Sequence, residues 1–257
     1  MLKPYYVIEF SAAACMFEIC VNDIPVVTSD FSGQLSSMVP ANYGILGSGI
    51  HSLKARMMPH SGQTVLDPEA ALLYRLKLYD VSSGFQLQQE VMQYSFPTPE
   101  ESKMIPYAEK TDTFQGDVPY SLAGWKNGLD LKDEDDIGYK LRKAYKRIAA
   151  MIENKQYDQF LSSIANREEI MATSMYLNDQ KARGRMNRLI KDFENGFTLM
   201  PLPENAVVRL HGNGKVAALK KLNGEPALSL YNPETEEELM IELGFYIPAG
   251  KTEFEVI

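Results

Sequence analysis

Phe17–Val27 reads F-E-I-C-V-N-D-I-P-V-V, and after a polar interval Pro40–Pro59 reads P-A-N-Y-G-I-L-G-S-G-I-H-S-L-K-A-R-M-M-P. Phe17, Ile19 and Val21 alternate with Glu18 and Cys20, the period of two that belongs to a half-buried strand. Asn22-Asp23 is a turn signal, and Val26-Val27 restarts a strand. Ile45-Leu46 leads into Gly47-Ser48-Gly49, which supplies the backbone freedom of a tight turn. Ile50, Leu53, Ala55 and Met57 then continue the apolar register. The beginning of the chain is therefore expected to be all-β.

Working outward, Tyr5–Phe10 and Phe17–Val27 are the expected opening strands, and Thr28–Ser37 is expected to be a long polar loop. Leu53–Met58, Ala70–Tyr79 and Phe85–Phe96 follow as strands, separated by Pro59-His60-Ser61-Gly62 and Val81-Ser82-Ser83-Gly84. Strands with turn signals every 8–12 residues suggest a sandwich or barrel. Residues 97–133 carry Pro97, Pro99, Pro106 and Pro119 but also Tyr107, Phe114, Tyr120 and Trp125. That mixture reads as a segment wrapping the sandwich and inserting aromatics, with Phe114–Leu122 pairing as a last strand.

Acidic Asp133-Glu134-Asp135-Asp136 suits a helix N-terminus. Ile137, Leu141, Ala144, Ile148 and Ile152 recur at helical steps, with Lys140, Arg142, Lys143, Lys146 and Arg147 on the other faces. A second helix starts over Tyr157, Phe160, Leu161 and Ile164. A third is capped by Asn178 or Asp179, carries Ala182, Met186, Leu189, Ile190 and Phe193 inward, and ends before Gly196. The period then changes. Val207–Leu210 and Val216–Leu222 flank His211-Gly212-Asn213-Gly214-Lys215, a strong hairpin signal. Ala227–Tyr231, Leu239–Ile247 and Thr252–Ile257 are the remaining expected strands. Helices followed by an antiparallel meander make an α+β domain. The expected architecture is thus two-domain: an all-β sandwich over 1–133, with the Pro/aromatic segment at 97–133, followed by an α+β domain over 134–257.

Two resemblances attach to these halves. Val21-Asn22-Asp23-Ile24-Pro25-Val26 and Ile45–Ala55 resemble the hairpin and strand entry of jelly-roll, galactose-binding-like β-sandwiches, with Asp23 where that family usually has Gly and His51 where it usually has Asn. Lys155-Gln156-Tyr157-Asp158-Gln159-Phe160 and Pro248-Ala249-Gly250-Lys251 resemble the helix break and the final turn of the NTF2-like (cystatin-like) cone. The second resemblance implies a cavity between helices and sheet. Neither implies a reaction, because function resides in sites rather than in folds.

Composition excludes more than it names. A hydrophobic share of 45% is that of a globular protein. The net charge of −8 argues against a nucleic-acid footprint and weakens attraction to an anionic membrane. The charge is uneven: residues 1–133 hold 9 Lys+Arg against 15 Asp+Glu, and 134–257 hold 17 against 19. No run of 18 apolar residues occurs, so no membrane insertion is expected. Tyr5–Cys20 is interrupted by Glu9 and Glu18, and the leader reading of Ala12-Ala13-Ala14-Cys15 is rejected. The expected compartment is cytoplasmic as the chain stands, and periplasmic if a leader has been trimmed. Cys15 and Cys20, if both lie on one strand, face opposite sides and cannot bridge, and they are expected to be buried free thiols.

Catalytic groups are scarce. Three histidines, His51, His60 and His211, lie at strand or turn ends, with no metal-ligand spacing and no nucleophile elbow. The carboxylate pairs Glu100-Glu101, Asp135-Asp136 and Glu236-Glu237 fall in loops. No cofactor or metal and no catalytic residue is expected. The favoured reading is a non-enzymatic binding or interaction protein, adaptor or immunity-like, recognising a protein partner or extended ligand. Its binding candidates are Tyr120 and Trp125, with Tyr176, Phe197, Tyr231 and Tyr246 in the second half. The alternative is an NTF2-like enzyme or small-ligand carrier whose cavity those second-half aromatics line, with Phe193 and Phe245, and with His211 or Asp179 inside it. Carbohydrate binding by the sandwich is the third choice.

Overall fold

The alternation that begins at Pro4 does not stop at Phe10. In the computed structural model, which describes residues 2–82, 84–100 and 102–257, it runs on as β1 (Pro4–Val21). Met1, Ser83 of the expected turn and Glu101 of the Glu100-Glu101 pair lie outside the described residues. The Ala12–Cys15 stretch, expected to separate two strands, is instead a kink within one. Ala14 takes φ 48°, and the pairing register shifts between Ala13 and Cys15. Small side chains tolerate such a bend, which re-aims the strand without ending it.

The Asn22-Asp23 turn forms as read, both residues at positive φ (51° and 62°), and returns the chain as β2 (Ile24–Pro40). Here the expected Thr28–Ser37 loop is corrected: Thr28–Phe31 and Gln34–Ser37 pair with β1 on either side of the register shift. Their polarity reflects a strand at the sheet margin, where much of the surface meets water. Next come β3 (Gly49–Met58), β4 (Ala71–Asp80), β5 (Gln86–Ser95) and β6 (Ala108–Gly116). The last strand was expected over Phe114–Leu122 but lies earlier, pairing with β3 from Gly49↔Gly116 to Met57↔Ala108.

All six strands form one antiparallel sheet, ordered β5-β4-β1-β3-β6 with β2 also on β1. β2 follows one edge of β1. On the other edge β4 pairs with Pro4–Ala13 and β3 with Met16–Val21. The kink at Ala14 separates these two arms, so the sheet curls around its own core. Phe10 and Phe17, one from each half of β1, pack with their rings tilted, centres 5.1 Å apart. Ile8, Ile19, Leu53, Met57, Leu72 and Tyr74 are fully buried there. The expected two-sheet sandwich is therefore one continuous curled sheet.

Contacts divide the chain into two compact units, Met1–Leu122 and Ala123–Ile257. The division falls inside the Pro/aromatic segment. The physical reason is visible on both sides. Val118 N–H donates to the Ser48 hydroxyl, and Tyr120 pairs with Asn42, in the first unit. In the second, Trp125 is buried, Leu129 N–H donates to the Ile247 carbonyl and Leu131 N–H to the Gly214 carbonyl.

The second unit opens with helix α1 (Ile137–Glu153), which buries Leu141, Ala144, Ile148 and Ile152 of the face read from the sequence, adds Tyr145 to it and leaves Ile137 half-buried. Two short helices follow, α2 (Tyr157–Ser163) and α3 (Ala165–Ser174), then α4 (Asp179–Glu194). The Asn178 side chain caps α4 by accepting from Lys181 N–H. Its inward face is shallow: of the residues read as inward, Phe193 is buried, while Ala182, Met186, Leu189 and Ile190 are half-buried.

The strands after the helices are short: β7 (Thr198–Leu199), β8 (Val207–His211), β9 (Val216–Lys220), β10 (Ser229–Asn232), β11 (Glu237–Met240), β12 (Phe245–Tyr246) and β13 (Glu255–Val256). They form two small antiparallel sheets, β11-β10-β7 and β13-β12-β9-β8. The single strand expected over Leu239–Ile247 is split into β11 and β12. The Leu243 carbonyl between them turns to accept the Tyr145 hydroxyl at 2.9 Å. Gly212 holds φ 58° in the β8–β9 turn, where a Cβ would stand 2.9 Å from the Trp125 ring. The architecture as a whole is mixed: a large curled antiparallel sheet, then four helices, then small antiparallel sheets. Among the described residues, no helix is long and apolar enough to cross a membrane.

Candidate functional site

The curled sheet leaves a gap between its two terminal strands. Among the described residues, β5 and β6 share no ladder. At one end they are bridged by the Lys110 ammonium, 5.3 Å from the centre of the Tyr94 ring. Further along they separate into a cleft of about 480 Å³. Gln89, Val91 and Met92 of β5 form one side, and Thr113, Phe114 and Gln115 of β6 the other. Tyr6 and Leu78 come from β1 and β4, Asp117 follows β6, and Leu2 and Pro4 complete the lining.

Buried Tyr6 and Phe114 stand 5.6 Å apart and make an aromatic interior. The Tyr6 hydroxyl accepts the Asp117 N–H at 3.1 Å. Burial pushes the Tyr6 phenol above its ordinary value, so it stays neutral. The exposed rim is amide and hydroxyl: Gln89, Thr113 and Gln115, with Asp117 as the one carboxylate in the lining. Such a surface buries apolar groups and hydrogen-bonds to polar ones.

The sequence-predicted aromatics lie elsewhere, and none lines this cleft. Tyr120 is half-buried in the first unit, its hydroxyl 3.3 Å from Asn42 Nδ2. Trp125 and Tyr246 are buried neighbours: a Cβ on Gly128 would stand 3.1 Å from both the Trp125 carbonyl and the Tyr246 ring. Phe197 packs half-buried against the second core, beside β7, and Tyr231 sits on β10 opposite Thr198 of that strand. Tyr176 follows α3 with φ 54°. Phe193 and Phe245, read as further cavity lining, are core residues.

The histidines do not converge. His51 is buried, 5.4 Å from Phe114, with Nδ1 at 2.9 Å from Asn22 Nδ2. An amide nitrogen only donates, so Nδ1 accepts and the neutral ring carries its proton on Nε2. His60 pairs with Asp30, which also accepts the Ser61 N–H and so pins the β3–β4 connection to β2. His211 closes β8 and is buried. Among the described residues, no group of three or more metal-ligating side chains assembles. Cys15 and Cys20 are buried free thiols. Burial pushes the Cys15 thiol up to about 11 and Cys20 higher still, which suppresses the reactive thiolate.

A charged cluster in the second unit centres on Glu168. Glu168 on α3 accepts from Arg167 and, at 2.9 Å, from Arg185 Nε on α4. Lys220, nearly enclosed on β9, pairs with Glu242. Burial holds the Arg167 guanidinium below its ordinary value, with Glu168 opposing that shift. The cluster ties α3 to α4. Sequence reasoning missed both it and the cleft. Phe85–Phe96 reads as a strand, but no periodicity tells which edge of a strand is left open.

No protein family, curated protein or solved structure matches this chain.

Proposed function

We propose that this is a non-enzymatic binding protein, adaptor or immunity-like in kind, whose recognition element is the cleft between β5 and β6. One observation carries the reading. An aromatic interior bounded by two strands, with an amide and hydroxyl rim, suits an extended segment of a protein partner. An uncharged extended segment hydrogen-bonds to such a rim while inserting a side chain between Tyr6 and Phe114. The reading treats the two units as domains, a β domain built on the one curled sheet and an NTF2-like α+β domain. Its support is the order of elements, long strands first and then helices with a short-stranded meander.

The test is site-specific photo-crosslinking in source-cell extract. A benzophenone side chain at Gln115 should capture one protein that the same group at Lys143, exposed on α1, does not. Filling the cleft with Thr113→Trp should abolish that capture. Equal capture from both positions sinks the proposal. So does a metabolite that strongly raises the melting temperature and is turned over in a His211-dependent way, an outcome that favours the enzyme alternative in the second unit.

A further inference from the structure

β2 pairs with β1 along one edge, and among the described residues its other edge has no strand partner. Which groups that edge presents follows from the ladder. Ala41 N–H donates to the Tyr6 carbonyl at 2.9 Å, and Val7 stands opposite Pro40. Counting back by twos, Val39, Ser37 and Leu35 direct their backbone groups to β1. Met38, Ser36 and Gln34 direct theirs outward, and Pro40 directs a carbonyl. The stretch Phe31–Pro40 carries no ionisable side chain.

Exposed edges are normally guarded by charges or irregular pairing. β6 carries Glu109, Lys110 and Asp112, and the β4–β5 ladder has two register shifts. Gln34–Pro40 has neither defence, because the one irregularity nearby lies before Gln34.

We propose that β2 pairs antiparallel with β2 of a second copy of this chain, centred on Ser37. A two-fold axis normal to a sheet preserves its faces, so one residue must stand opposite itself. Centring on Ser37 places Leu35 opposite Val39, Ser36 opposite Met38 and Gln34 opposite Pro40, each pair occurring twice. Leu35 and Val39 pack against the first core in register with Ala12 and Ile8, so the apolar strip continues across the axis. Ser36 and Met38 both present outward N–H and C=O groups and exchange hydrogen bonds. Pro40, which lacks an N–H, only accepts from Gln34. The register also covers Met38, which is 58% exposed.

Self-complementarity selects the occupant: the same stretch supplies both halves of each Leu35–Val39 and Ser36–Met38 pair, and it meets its own copy without opposing a charge to it. The nearest outer-face carboxylate, Glu9 beside Met38, is held by Lys77 at 2.6 Å.

Cysteine cross-linking reads the register. Ser37 opposite itself is a non-hydrogen-bonded pair, with Cα atoms about 4.5 Å apart, within disulfide reach. Mild oxidation of Ser37→Cys should give a covalent dimer. Ser36→Cys should not, because its own copy lies two residues off register, about 7–8 Å away. Met38→Lys, at an exposed position, should weaken self-association by about tenfold or more in sedimentation. Wild-type protein that sediments as a monomer from roughly 1 to roughly 500 µM overturns the proposal, including a monomer that captures a foreign strand at this edge. Equal cross-linking of the two cysteine variants, or a dimer unchanged by Met38→Lys, overturns it as well.

Discussion

The two units reach stability by different routes. In the first, strands of 9 to 18 residues carry the structure through continuous ladders, and side chains fill a core that the curled sheet has already enclosed. In the second, seven strands of 2 to 5 residues have too few ladder bonds to stand alone. There α1 supplies the enclosing surface, and side chains do the joining. Tyr145 is the clearest case: buried, it donates to the Leu243 carbonyl and accepts from Leu219 N–H at 3.1 Å, tying helix to sheet. A sheet long enough to fold over itself distributes its stability, whereas a meander of short strands concentrates it in a few anchoring side chains.

That contrast predicts a ranking. Tyr145→Ala should have the largest effect, about 4 kcal/mol in urea unfolding, confined to a transition of the second unit. Tyr145→Phe should keep the packing and lose the bridge, at about 2 kcal/mol. If Tyr145→Ala shifts the unfolding of both units equally, the contrast fails.

Trp125→Ala follows, at about 3 kcal/mol, because the ring is buried against the Gly212 turn. The outcome also decides between packing and recognition at this residue. A lowered melting temperature is packing, and a lost partner with unchanged melting is recognition.

In the first unit, Asn42→Ala should cost about 2 kcal/mol. Asn42 is fully buried, accepts Tyr6 N–H at 2.6 Å and donates to the Pro4 carbonyl at 3.0 Å. The loss should appear as faster amide exchange at Tyr6 and Ala41, with most of the β1 ladder protected. Uniform loss of protection along β1 would show that the sheet does not distribute its stability.

The smallest effect is pH-dependent. Asp80 accepts from Ser82 N–H, the Ser82 hydroxyl and Lys3 N–H, which hold its carboxyl below the ordinary 3.8. A depressed carboxyl stabilises the fold above its unfolded value and loses that contribution as pH falls through its folded value. Asp80→Asn should therefore lower the melting temperature slightly at pH 7 and converge with wild type in acid below 3.8. A gap that persists unchanged into acid would assign the effect to shape rather than charge.

Where the physics is local, the chain was legible. The helix read from Ile137 to Ile152 is α1, the Asn178 cap forms, and the turn around Asn213-Gly214 joins β8 to β9. Each depends on periodicity or on a backbone preference carried by the residues themselves. Thr28–Ser37 failed because a marginal strand draws its structure from its neighbour and needs little hydrophobicity of its own. Leu239–Ile247 failed because a helix residue roughly a hundred positions away, Tyr145, claims a carbonyl in its middle.

The amino-acid sequence alone determined the class of each half: alternation that makes strands first, and helical repeats followed by turn-separated strands afterwards. Tertiary structure decided what lies between elements: the kink at Ala14 that turns a flat sheet into a curled one, the cleft where β5 and β6 fail to meet, and the edge of β2 left without a neighbour. The physical reason is range. Periodicity and turn preference act over a few residues, while a gap or an open edge is defined by strands that approach, or do not, from far along the chain.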